Sequence, residues 1–311
     1  MAKRKKNQTK AIWLTFFGLA ALGLLVAALL RGHDVILFNP KGLIAGEQRR
    51  LMVVSTLIML GFCVPVLTVL YFFAWKYRET NEKAHYNPHA GRGKWSVLAV
   101  WGMPIIIMLI LASIMIPATF RLEPQDRIAS GKPPLTIQVV ALRWKWLFIY
   151  PDQNIATINY LQIPEDTPVQ FELTADETPM SSFWIPHLGG QLYAMTEHVN
   201  RLNLIADTPG EYEGSAAEIN GAGFAGMRFT TRVSSQAEFN TWVDGTRQSP
   251  SYYPLTTAEY ARLLQPSENN AATFYAGRDP NIYTNILDKY AGSHAGSHGQ
   301  DTEPKVHEGH H

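Results

Sequence analysis

The chain has one cysteine in 311 residues, Cys63, and it lies inside an apolar run. One thiol cannot close an internal disulfide. It also cannot supply the paired thiolates that many copper and iron–sulfur centres require, so Cys63 reads as a small, buried apolar residue of a helix. An excess of charge of either sign is missing too: 27 basic residues stand against 26 acidic ones, a formal net charge of +1. No basic stretch interleaved with aromatics occurs after the apolar first third, which argues against nucleic acid as a partner. Gly-x-Ser-x-Gly, His-Glu-x-x-His and comparable nucleophile patterns are absent from the polar part, which argues against a membrane-bound hydrolase.

What is present divides sharply. Lys3, Arg4, Lys5, Lys6 and Lys10 precede an uncharged run from Ile12 to Leu30. At about 1.5 Å per residue that run nearly crosses a roughly 30 Å hydrocarbon layer. Residues 1–30 therefore read either as a signal sequence or as a retained signal-anchor helix; the run is long for a signal core and no clear small-x-small site follows it. Two further runs, Leu51 to Trp75 and Trp95 to Phe120, lie within residues 39–120 and are expected as transmembrane helices over about 51–75 and 95–120. Unpaired backbone groups cost several kcal/mol each in lipid, so helix is the form open to them. Pro65 and Pro104 are tolerated there, and Tyr71, Trp75, Tyr77 and Trp95 sit near the ends, where amphipathic rings favour the interface. Lys76, Arg78, Lys83, Arg92 and Lys94 fill the segment between the runs, which places that loop in the cytoplasm and everything after Arg121 outside, in a bacterium the periplasm. Arg49 and Arg50 run against this rule.

Over residues 130–235 the period changes to two. Leu135, Ile137 and Val139 alternate with Thr136 and Gln138; Val169, Phe171 and Leu173 alternate with Gln170 and Glu172; Met227, Phe229, Thr231 and Val233 continue the pattern. Proline and glycine punctuate these runs from Pro151 to Gly210. Short strands with such turn signals predict an all-β sandwich or small barrel. Residues 236–291 turn helical and aromatic: Thr256 and Glu259 have capping-box spacing, Pro266 stops that helix, and Asp279-Pro280 opens another. Residues 292–311 are a low-complexity, His-rich tail, read as disordered, whose histidines could chelate metal only loosely.

Several segments, in this order and spacing, resemble subunit II of the haem–copper respiratory oxidases. They are Asn39-Pro-Lys-Gly42, Phe73-Ala-Trp-Lys-Tyr77, Trp101-Gly-Met-Pro104, Trp144-Lys-Trp146 through Pro151, Ser181-Ser-Phe-Trp-Ile-Pro186, and Glu218-Ile-Asn-Gly221 with Met227. The aromatic-rich stretch from Phe239 to Tyr290 looks like the extra module of the quinol-oxidising, bo-type branch. The resemblance covers roughly residues 39 to 291. It implies a helical hairpin followed by a cupredoxin-like sandwich and a small helical C-terminal module. In the branch that oxidises cytochrome c, this sandwich holds two coppers on two cysteines, two histidines, a methionine and a backbone carbonyl. Laid on this chain, the pattern puts Ala216 and Asn220 at the cysteines, Ser181 and Phe224 at the histidines, and keeps Met227 and the peptide of Glu218.

Soft thiolates hold copper of this kind, and none remains. A blue-copper site fails as well, since His187 and His198 lack a thiolate partner and read as surface-loop histidines. The resemblance therefore implies no catalytic residue, no metal and no cofactor in this chain. It implies instead a structural subunit of a proton-translocating ubiquinol oxidase of the inner membrane. Haem and copper would lie in subunit I, with subunits III and IV, membrane lipid and ubiquinol as the other partners. Trp101, Pro104, Trp144 and Trp146 are expected to be structural, Trp144 and Trp146 packing the sandwich and capping the haem subunit. The chain departs from the bo-type pattern at Val97, where a glutamate marks a proton-channel mouth, and at Gly32-His33, where some relatives carry a lipid-modified cysteine. The alternatives are a cytochrome c oxidase subunit II with a degenerate copper site, or a membrane-tethered binding module.

Overall fold

Two stretches of the chain are apolar on every side, so neither can bury one face and leave the other to water. In the computed structural model they are the helices Leu43–Lys76 (α1) and Lys94–Arg121 (α2). Both are long and apolar enough to cross a membrane, and the apolar windows of both are 0% buried within the chain. At about 1.5 Å per residue, α1 extends roughly 51 Å. The structure describes residues 35–79, 81, 85, 93–126, 128, 130–178 and 180–291, with 17, 18, 21, 23–25 and 28. The readings made for Lys83, Arg92, Gly32-His33, most of residues 1–30 and the tail 292–311 lie outside the described residues. Residues Met1–Pro40 form a unit of their own, in which a 3-10 turn spans Ile36–Phe38.

The rest of the chain forms the second unit. Within the helices, Thr68, Ser113 and Thr119 donate their hydroxyls to carbonyls three or four residues back, which keeps them satisfied where no water is at hand. Cys63 is half-buried rather than buried. Ser55 Oγ lies 3.9 Å from Met115 Sδ, pairing the first half of α1 with the second half of α2.

After α2 the chain builds two facing sheets. The strands are Leu135–Leu142 (β1), Lys145–Tyr150 (β2), Ile155–Ile158 (β3), Tyr160–Pro164 (β4), Val169–Ala175 (β5), Ser181–Trp184 (β6), Leu192–Ala194 (β7), Asn200–Leu204 (β8), Gly210–Ala216 (β9), Arg228–Ser234 (β10) and Thr273–Tyr275 (β11). One sheet runs β11-β3-β2-β1-β5-β8 and the other β4-β10-β9-β6-β7. β1 pairs parallel to β5, from Leu135 opposite Val169 to Ala141 opposite Ala175, and β10 pairs parallel to β4. The core between the sheets holds Ile137, Trp146, Phe148, Phe171, Phe183 and Phe229. Phe183 stacks on Phe229 at 5.2 Å between centroids, and Trp146 meets Phe183 edge-on at 5.4 Å.

The expected order of helices, sandwich and helical module is what the structure has, with one difference in the strands. Strict alternation predicts a wet outer face, yet Val140, Leu142, Leu147 and Ile149 are all 0% exposed. They belong to a second core with Leu255, Tyr260, Ile282 and Ile286. Of the C-terminal helices Gln236–Gln248 (α3), Thr257–Leu263 (α4) and Ile282–Ala291 (α5), α4 and α5 supply the covering residues together with Leu255 and Tyr275, while α3 packs Phe239 and Val243 into the first core, so β1 and β2 are buried on both faces. The capping box also sits elsewhere than expected. Thr256 accepts from the Glu259 amide, but Glu259 turns to Arg262; the reciprocal pair is Ser235 with Glu238, at the start of α3. Hydrogen bonds from Ser235 hold the Glu238 carboxyl below its ordinary value.

The sandwich is jammed onto the start of α1. Leu43 N donates to Ile205 O and Ala45 N to Leu188 O, both at 3.1 Å. These bonds satisfy amides that a helix N-terminus leaves open. A Cβ at Gly42 would lie 2.6 Å from Ile205 O, so only glycine allows this approach.

Candidate functional site: the loop beside Ser181 and Met227

The positions that the resemblance marks as former copper ligands lie on β6, on β9, and on the segment from Ala217 to Met227. Ser181 opens β6 and is 0% exposed; Met227 precedes β10 and is also 0% exposed; Asn220 is 8% exposed. The Asn220 amide reaches both: Nδ2 donates to Ser181 Oγ at 2.8 Å and lies 3.1 Å from Met227 Sδ. Its Oδ1 is buried with no hydrogen-bond partner. Ala216 ends β9, its amide donating to Met227 O, and Phe224 packs half-buried against the core. Glu218 is exposed, its carboxylate 3.4 Å from the Tyr193 hydroxyl.

The structure thus brings Ser181, Asn220 and Met227 together and leaves Phe224 and Glu218 to one side. A hydroxyl, a carboxamide and a thioether supply no thiolate and no imidazole. The amide hydrogens are turned toward the sulfur and the hydroxyl oxygen, the atoms a soft cation would need. This donor set does not fit a two-copper centre. Among the described residues, no group of three or more His, Cys, Asp or Glu is placed to hold a metal ion. His198 is exposed. His187, expected at the surface, is instead half-buried, its ring 5.0 Å from that of Tyr212 and its carbonyl accepting from Lys41 N.

The loop over this cluster is shaped by glycine. Gly221 has φ +120°, which an L side chain rarely adopts. A Cβ at Gly223 would lie 2.5 Å from the indole of Trp144 and 2.8 Å from Glu268 Cγ. One at Gly226 would lie 2.4 Å from Asn269 Oδ1. The loop is therefore pressed between Trp144, itself left-handed at φ 61°, and the segment 265–270. Lys145 fastens that segment, donating to Gln265 O at 2.9 Å and Ser267 Oγ at 2.6 Å. Burial pushes the Lys145 ammonium below its ordinary value. Asn159, left-handed at φ 53°, donates to Asn270 O at 2.9 Å and accepts from Trp146 N at 2.8 Å.

A second fastening lies five residues before Ser181. The Asp176 carboxylate, on a residue 2% exposed, accepts from Tyr260 OH at 2.6 Å, Tyr290 OH at 2.7 Å and Lys289 Nζ at 2.8 Å. Lys289 also reaches Glu177 at 2.7 Å. Burial alone would lower the Lys289 ammonium, but its two carboxylate partners outweigh that and hold it above its ordinary value. Burial, then Asp176, raises the phenols of Tyr260 and Tyr290. No sequence motif announced these contacts; the one hint was an Asp176-Glu177 pair at a strand end, with Lys289-Tyr290 far downstream. Trp144 is half-buried against the core and Trp146 fully buried. Trp101 and Pro104 lie on α2, where Trp101 is 71% exposed within the single chain.

Residues 248–294 match the model of the COX Aromatic Rich Motif. Cytochrome bo(3) ubiquinol oxidase subunit 2 of Pseudomonas putida is 43% identical over 268 residues, 86% of this chain and 84% of the relative. Ubiquinol oxidase subunit 2 of Acetobacter aceti is 38% identical over 270 residues, 86% of this chain and 87% of that one. Among solved structures, the periplasmic domain of cytochrome oxidase subunit II from Bradyrhizobium japonicum matches at 23% identity and a TM-score of 0.35, covering 37% of this chain and 95% of its own. A chain from a heme-copper terminal oxidase dimer matches at 15% identity and a TM-score of 0.37, covering 45% of this chain and 99% of its own. Identity of 38–43% across most of both chains places the protein by sequence: a membrane protein with a folded domain outside its two apolar helices, it belongs to the ubiquinol oxidase subunit 2 family and is one subunit of an oxidoreductase complex.

Proposed function

We propose that this chain is the non-redox subunit of a proton-translocating quinol oxidase, bracing a haem-bearing subunit I and covering its periplasmic face. Haem and copper belong to subunit I, and subunits III and IV complete the assembly. Quinol delivers its electrons within the membrane, directly to subunit I. The observation that carries this reading is the Ser181–Asn220–Met227 cluster, a buried neutral group in which no thiolate or imidazole stands where the family's copper-bearing branch needs them. α1 and α2 offer apolar surfaces that the chain itself leaves uncovered, and burial of such surface against another subunit or lipid satisfies both. Trp144 and Trp146 act as packing residues, the first over the glycine loop and the second within the core.

The test is the electron donor. The complex purified from its native membrane should oxidise quinol and fail to oxidise reduced cytochrome c, and this chain, separated from its partners, should carry no copper. Turnover with cytochrome c alone, or a copper signal that follows this chain, would overturn the reading.

A further inference from the structure

Where α1 and α2 meet the sandwich, the chain forms a partly open cavity of about 350 Å³. That lies within the roughly 300–1,000 Å³ range of small-ligand sites. Its wall is of two kinds. Ile44 and Leu122, at the ends of the two helices, give it an apolar side. Arg121, Glu47, Glu123 and Asp126 give it one guanidinium and three carboxylates. Glu47 is 4.0 Å from Arg50, an exposed pair of little worth. Among the described residues, Arg121, Glu123 and Asp126 enter no ion pair. The cavity is also built in advance. Asn203 of β8 donates its side-chain amide to Pro124 O at 3.0 Å and Gln125 O at 3.2 Å, and its backbone amide to Pro124 O at 3.1 Å. That triple tie holds the backbone of the connector after α2 against the sandwich, while the exposed side chains of Arg121, Glu123 and Asp126 stay within reach of a ligand.

The cavity's volume, its two-sided wall and its mixed charge fit one occupant. From these we infer that it is a binding site for a zwitterionic phospholipid with a primary ammonium headgroup, of the phosphatidylethanolamine type, in the leaflet on the sandwich side. The site stands at the water-side ends of two membrane-crossing helices, the level at which headgroups lie. Arg121 is the bidentate partner for the phosphate. The carboxylates of Glu47, Glu123 and Asp126 receive the ammonium. Ile44 and Leu122 meet the first carbons of the acyl chains. A phosphatidylglycerol headgroup brings a phosphate and no ammonium, and three carboxylates repel it. The inference needs α1 and α2 to span a bilayer; it does not depend on which donor feeds the oxidase.

The assembled complex, extracted in mild detergent and washed, should retain tightly held phosphatidylethanolamine visible by native mass spectrometry. Arg121→Gln should lose one such lipid per complex, and Arg121→Lys, which keeps the charge, should retain it in part. Glu47→Gln with Asp126→Asn should shift the retained lipid toward phosphatidylglycerol. The lipid count would be unchanged by all these substitutions if the inference is wrong. It is equally overturned if Gln48→Cys, at a residue that lines the cavity, cross-links to a partner subunit's side chain filling the space.

Discussion

Two polar clusters lie at the same end of the sandwich, joined through the short segment from Asp176 to Ser181, and they are built on opposite principles. The Asp176 cluster is charged and fully paired: one buried carboxylate accepts from two phenols and an ammonium at 2.6 to 2.8 Å. The Ser181–Asn220–Met227 cluster is neutral and under-paired, with Asn220 Oδ1 left without a partner. Breaking a buried charged pair strands the remaining charge, whereas losing a neutral hydrogen bond costs about 1 kcal/mol. The contrast teaches where the domain spends its stability. The C-terminal module is clamped down by the first cluster. The second, which on the reading proposed above descends from a metal site, is free to change.

The largest expected effect is therefore at Asp176. Asp176→Ala leaves Tyr260, Tyr290 and Lys289 without their shared acceptor and should lower stability by about 3 kcal/mol. That is the low end for a broken buried pair, because Lys289 is itself 40% exposed and keeps Glu177. Chemical denaturation should show it, and hydrogen exchange should rise across residues 257–291 first. A loss no greater than at Ser181 would erase the contrast.

Next comes Gly223→Ala. Its Cβ would fall 2.5 Å from the Trp144 ring, and overpacking of this kind costs about 1–3 kcal/mol. Trp144 fluorescence should shift, and amide exchange should rise in both 221–227 and 265–270. Exchange confined to the loop would mean that the 265–270 segment is not pressed on it.

Alkaline pH should act on the first cluster and spare the second. The phenols of Tyr260 and Tyr290 are raised, and that of Tyr275 is pushed up to about 12, chiefly by burial and then by Glu259. Each raised group holds its proton more tightly when folded, so its contribution is complete below about pH 10. It is lost as pH climbs from there through the folded value. The tyrosinate absorbance and release of α4 and α5 should rise together in that window. Independent titration would separate them. Smallest of all is Ser181→Ala, expected to cost about 1 kcal/mol, read by the same denaturation curve.

How much of this was legible in the chain follows the same division. The apolar runs, the period-two strands from Leu135 and the helical end were readable, because periodicity and lipid-length runs are local properties. The burial of Val140, Leu142, Leu147 and Ile149 on the outer face was not. Alternation says which side a residue takes, and nothing local says that α4 and α5 will cover that side. The marked positions Ser181, Asn220 and Met227 came from spacing within a resemblance, and the structure sets them in contact. The ties of Lys145, Asn159 and Asp176 to the C-terminal module were invisible because those partners lie 111 to 122 residues away for the first two and 84 to 114 for the third. The left-handed conformations of Trp144 and Asn159 fall in the short connections between β1 and β2 and between β3 and β4. The half-buried His187 was misread for a like reason, since Lys41 and Tyr212 close over it from elsewhere.

The central claim, that electrons bypass this polypeptide, is tested most directly by oxygen uptake of the assembled oxidase carrying Ser181→Ala and Asn220→Ala together. With quinol as donor, turnover should stay within about twofold of the parent. A fall of about tenfold or more with the complex intact would mean that current passes through the cluster, and the account would be wrong.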